Sequence, residues 1–118
     1  MKYVVAVLDE VRTEDIPDLS AGARPAAAKL VAQLYEDPRI GESMRERFNL
    51  AILSDCRKVS FDEEGWTGKP RFRLVFRNEP DDGAVARTTV LAIAAREKLD
   101  AYRRAATRRG RQRRSGSE

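Results

Sequence analysis

Histidine is absent from this 118-residue sequence, and cysteine and tryptophan occur once each, as Cys56 and Trp66. Without histidine the chain lacks the usual proton carrier near neutral pH and any imidazole metal ligand. One cysteine makes neither an internal disulfide nor a thiolate metal site, which fits a reducing compartment. Cys56 reads as a small filler, because no imidazole exists to activate it as a nucleophile. Long apolar runs are missing too: Tyr3–Leu8 is far short of the ~20 residues that span a bilayer, and no signal-like segment precedes it. The expectation is a cytoplasmic protein with no cofactor and no metal. Asp9-Glu10, Glu63-Glu64 and Asp81-Asp82 read as solvated loop charges, since none has a spaced ligand partner.

What is present suffices for one domain, with 42% apolar residues to supply a modest core. The net charge of +4 is unevenly spread. Residues 1–102 hold 16 Lys/Arg against 18 Asp/Glu, a balance of −2, whereas residues 103–118 hold seven Arg and one Glu, a balance of +6. The Arg-rich end either grips polyphosphate through counterion release or is a solvated helix end.

The apolar spacing predicts an α+β architecture. Lys2–Leu8 reads as a strand buried on both faces. Residues 9–24 are a loop or short helix that the pattern does not separate. Pro25 suits a first helical turn, and Ala27, Leu30, Val31, Leu34 and Tyr35 recur on one face until Asp37-Pro38 ends the helix. Gly41–Leu53 is ambiguous, with Phe48 and Leu50 among its apolar positions. Three alternating strands follow: Cys56–Phe61, Arg71–Arg77 and Arg87–Ala94. The connections around Gly65, Gly68 and Pro70, and around Asp82-Gly83, are too short for parallel crossovers and predict an antiparallel meander. From Arg96 the spacing becomes helical and is expected to end near Gly110. The pattern divides the chain into a domain over 1–109 and a basic tail, expected to be disordered, over 110–118.

Alternation places Lys58, Arg71, Arg73 and Arg77 on outward faces of adjacent strands. Like charges so close destabilise a sheet, a local cost that an anionic ligand would explain. The plain alternative is a solvated polar face with Glu46, Asp62 or Asp100 as counter-charges.

The order of segments is informative. The stretches Leu53–Phe61, Pro70–Arg77 ("PRFRLVFR") and Val90–Arg108, with Arg96 and Tyr102 six apart, resemble the RelE/ParE superfamily of toxins from type II toxin–antitoxin modules. The resemblance implies a small antiparallel sheet, the N-terminal strand plus the three-stranded meander, packed on N-terminal helices with a C-terminal helix. It further implies a metal-independent endoribonuclease that cuts messenger RNA on the ribosome, and a cognate antitoxin partner. Carried onto this chain, Lys58, Arg73, Arg96 and Tyr102 match catalytic or substrate-binding positions, with Lys69, Arg71, Arg77, Arg103 and Arg104 as further RNA-binding candidates. One position departs: where the RelE branch shows Lys-x-Lys, this chain reads Lys58-Val59-Ser60. That keeps open a ParE-like gyrase inhibitor, and the Arg-rich end keeps open a non-catalytic nucleic-acid-binding domain.

RNA cleavage of this kind needs a base for the 2′-OH, cations for the phosphate charge and an acid for the leaving 5′ oxygen. Arg73 and Arg96 suit charge stabilisation because a guanidinium binds phosphate bidentately. Lys58 or Tyr102 is the candidate proton acceptor, and Tyr102 could instead stack on a base. The plainer roles are an Arg96 ion pair with Glu97 or Asp100 and Tyr102 as core, while Trp66, in a Gly-rich connection, could stack on nucleic acid but reads first as a loop aromatic covering the sheet.

Overall fold

A computed structural model describes residues 3–45, 52–80 and 83–116, with side chains as far as residue 112. Five strands form one sheet: β1 (Val4–Val7), β2 (Glu42–Ser43), β3 (Cys56–Phe61), β4 (Phe72–Glu79) and β5 (Arg87–Ala95). Their spatial order is β1-β5-β4-β3-β2. The β3-β4-β5 meander is antiparallel, as the short connections require. β1 departs from the expectation in two respects. It runs parallel to β5 rather than antiparallel, and it is an edge strand whose Val4 is 61% exposed, not a strand covered on both faces. Its apolar run was a poor guide because Val5 and Val7 are only partly covered by the core beneath them.

β2 resolves part of the ambiguous Gly41–Leu53 stretch; Glu46, Phe48 and Leu50 lie outside the described residues, as do Asp81 and Asp82. Gly41 immediately precedes the strand, and its φ of +78° is strained for any L side chain. A Cβ there would also collide with the Lys58 carbonyl. Gly41→Ala is therefore expected to dislodge β2 from β3, seen as lost amide protection at Met44, whose N–H bonds Cys56 O at 2.9 Å.

One face of the sheet is covered by α2 (Ala23–Glu36), with Ala23, Ala27, Leu30 and Leu34 buried against Leu74, Phe76, Val90 and Ile93. Pro25 lies in the first turn, and the Asp37 N–H closes the last turn on Gln33 O before Pro38. The segment that the sequence left open forms a π-helical stretch, Val11–Asp15, running into one α-turn, α1 (Ile16–Asp18). Its effect is to bury Asp15 completely.

The opposite face is covered by α3 (Asp100–Gly116), which continues through Gly110 instead of ending there. Ala101, Tyr102 and Ala105 pack on Met44, Leu53, Cys56, Val75 and Leu91. Val75 pairs with Ala92 and Phe76 with Val90, so Leu91 is one residue extra in β5. This bulge turns both Leu91 and Ala92 toward α3.

The helix is also fixed by charge. Asp15 accepts from Arg104 Nη1 (2.8 Å), from Arg108 Nη1 (2.7 Å) and Nη2 (2.8 Å), and from the Ile93 N–H (2.9 Å). Arg108 is 3% exposed and donates as well to Leu91 O. A carboxylate so deep is tolerable because it is paired and fully hydrogen-bonded.

Candidate nucleic-acid interface

Cross-strand register decides which expected residues share a face. Ser60, Arg73 and Ala94 are directly opposite one another across β3, β4 and β5, and Lys58 pairs with Val75. Lys58 and Arg73 are thus diagonal neighbours on the face that α3 covers. Both are largely sunk: the Lys58 side chain is 13% exposed and Arg73 9%. Glu42, reaching across from β2, sits 3.8 Å from Lys58 Nζ. Nothing in the sequence pattern marked Glu42, because a two-residue strand carries too little periodicity to read.

Tyr102 is wholly buried in α3, with the Arg73 guanidinium 4.3 Å from its ring centroid. The phenyl ring therefore forms a floor for the guanidinium, a cation–π contact that fixes its height above the sheet. The outcome for Tyr102 combines both sequence readings, since it is core and touches a candidate catalytic cation.

Arg96 begins the corner between β5 and α3. Its N–H continues the ladder to Arg71 O at 2.7 Å, and its Nη1 turns toward Pro70 O at 3.5 Å. It makes no ion pair with Glu97 or Asp100 among the described residues. Instead it lines a cleft of about 480 Å³ at the end of the sheet, with Lys69, Pro70, Arg71, Phe72 and Glu97. Immediately beyond, Lys98 and Leu99 adopt φ of 55° and 57°, two successive left-handed residues that bend the chain sharply into α3. Arg103 is exposed beside that corner.

Three arginines expected to hold RNA are committed to carboxylates. Arg71 is gripped bidentately by Asp62 (Nε to Oδ2 2.9 Å, Nη2 to Oδ1 2.8 Å) and lies 3.6 Å over the Trp66 ring. Arg77 is bound by Asp55 at 2.7 Å and by Glu79 at 2.9 Å. Arg104 is held by Asp15, Asp18 and Asp100. Burial opposes the Arg104 charge, but the hydrogen bonds it donates to these three carboxylates raise its pKa overall. The expected patch of Lys58, Arg71, Arg73 and Arg77 is therefore not one free cationic surface: Asp62, Asp55 and Glu79 neutralise two of its members. Asp62 and Asp100 do act as counter-charges, although Asp100 serves Arg104.

Hydrogen bonding from Arg71 holds the Asp62 carboxyl down from the ordinary 3.8 to about 2. A depressed carboxylate contributes above its unfolded pKa and loses that contribution as pH falls through the folded value. The Asp62–Arg71–Trp66 assembly is thus expected to hold at neutral pH and release between pH 4 and pH 2. Emission from the single tryptophan reads this directly, and Asp62→Asn, which removes the titrating carboxyl, should abolish the acid transition and show the released emission already at neutral pH.

Cys56 is 1% exposed, and burial, with Asp55 beside it, pushes its thiol well above the ordinary range. It is inert filler, as the missing imidazole suggested. Among the described residues no three metal-ligating side chains cluster, and no helix is long and apolar enough to cross a membrane.

No family model matches the sequence, nor does any curated protein. Among solved structures the chain is similar to the toxin RelE of E. coli, solved in the free state with two arginines changed to alanine. The two share 21% identity, the match covers 92% of this chain and 98% of that one, and the TM-score is 0.62. The fold is RelE-like.

Proposed function

We propose, from a RelE-like fold with Lys58 and Arg73 on one face and Arg96 at its edge, that the chain is the toxin of a type II toxin–antitoxin pair. Its activity in this reading is metal-independent cleavage of messenger RNA on the ribosome, restrained by a cognate antitoxin, in the cytoplasm. The observation that carries the reading is the Arg73 guanidinium seated on the buried Tyr102 ring. Such a cation is fixed before substrate arrives, so stabilising a pentavalent phosphate needs no reorganisation.

The 2′-oxygen attacks the adjacent phosphorus, the 5′-oxygen leaves, and the extra negative charge meets Arg73 and Arg96. Lys58, steadied by Glu42, is the group on this face that exchanges a proton with the reacting oxygens. Tyr102 is a positioning residue here and not the proton acceptor, because it has no exposed surface. The test is expression in cells followed by primer extension on messenger RNA. New 5′ ends within coding regions that vanish with Arg96→Ala support the reading; intact transcripts with folded protein present overturn it.

One feature favours a ParE-like alternative. Ser60, exposed and directly opposite Arg73, stands where the RelE branch carries a second lysine. Inhibition of purified gyrase supercoiling without RNA loss selects that alternative.

A further inference from the structure

Trp66 is 41% exposed, yet it is held in place. Its indole Nε1 donates to Lys69 O at 3.2 Å, and its own N–H bonds Glu63 O at 3.1 Å. The Arg71 guanidinium lies 3.6 Å over the ring and is itself locked by Asp62. An exposed indole normally keeps rotamer freedom; this one has its orientation set in advance. Gly65 and Gly68, at φ of +84° and +98° with open space around them, shape the loop that presents it.

The cations of the neighbouring cleft differ from the arginines paired within the sheet and α3. Arg71, Arg77, Arg104, Arg108 and Arg109 all donate to carboxylates. Among the described residues, Lys69 and Arg96 in the cleft have no salt bridge, and Glu97 is the only carboxylate lining it. Uncommitted cations beside a fixed aromatic plane fit a nucleotide: a flat base on the indole and its phosphate against Lys69 and Arg96.

We propose that Trp66 and the Lys69–Arg96 cleft form a single-stranded RNA subsite at the edge of the Lys58–Arg73 face, sharing Arg96 with it, in which one unstacked base lies on the indole. Arg71 belongs to it as the brace behind the ring rather than as a phosphate ligand. Stacking accepts any base, so this subsite favours single strands over duplexes and discriminates little among sequences. The proposal rests on the reading that the chain handles RNA, and it is tested without requiring cleavage.

The probe is a six-nucleotide 2′-deoxy oligonucleotide, which lacks the attacking hydroxyl. Saturable quenching of Trp66 is expected with the single strand and little with the corresponding duplex. Anisotropy of a labelled strand should show affinity about tenfold or more weaker in Trp66→Ala and nearly unchanged in Trp66→Phe. Binding that leaves Trp66 emission untouched, equal quenching by duplex, or undiminished affinity in Trp66→Ala overturns the subsite. Quenching in the unsubstituted protein needs no variant to fold. If cells show no transcript cleavage but quenching occurs, the subsite stands and the nuclease reading falls; cleavage with a silent Trp66 is the reverse.

Discussion

Asp15→Ala is expected to cost about 3–5 kcal/mol, because it leaves Arg104 and the buried Arg108 without their shared carboxylate. Domains of this size are stable by only about 5–15 kcal/mol, so the variant should lose a large share of its stability. Asp15→Asn keeps an acceptor for the Ile93 N–H but not the charge, and should fall between. The sign of a further change is diagnostic. Removing one partner strands a cation, whereas replacing Asp15 and Arg108 together by apolar side chains removes the stranded charge and should recover much of the loss. Urea unfolding followed by circular dichroism measures all three.

Loss of Arg73 should produce the second large effect, this time on chemistry. Arg73→Ala is expected to lower cleavage by about a hundredfold or more, the usual cost of deleting a preorganised charge stabiliser. Arg73→Lys should recover little, since an ammonium offers neither a plane to lie on Tyr102 nor two parallel donors. Tyr102 separates the two roles assigned to it. If its ring is a floor, Tyr102→Phe retains most activity and Tyr102→Ala loses both activity and stability. If its hydroxyl carries the proton, Phe is as inactive as Ala. Single-turnover cleavage on programmed ribosomes distinguishes these, with thermal unfolding of each variant alongside.

The parts of the fold that alternation governs were legible. β3 and β4 follow their side-chain period, β5 departs from its own at the bulge, and α2 follows its apolar stripe to Glu36, with Asp37 capping it before Pro38. β1 misled because a uniformly apolar strand also occurs at a parallel edge, where the core beneath it is the reason for its composition. The π-helical stretch was unreadable, since its Asp15 acquires meaning only from arginines 89 and 93 residues away. A signal for one of them existed all the same. Arg108 lies seven residues beyond Ala101 and three beyond Ala105, on the same stripe that buries those alanines. Counting the Arg-rich end as charge alone hid that spacing. The candidate site was legible in its residues but not in its division: Lys58 and Arg73 lie on the face beneath α3, whereas Arg96 and Lys69 open onto the end cleft, and local partners claim Arg71, Arg77 and Arg104.

The pairing of β1 with β5, and of Asp15 with Arg108, joins the opening of the chain to nearly its last helical turn. Closing so long a loop is entropically slow, and these contacts need β5 and α3 to be present. A fragment that stops before α3 therefore lacks Tyr102, and with it the floor beneath the Arg73 guanidinium.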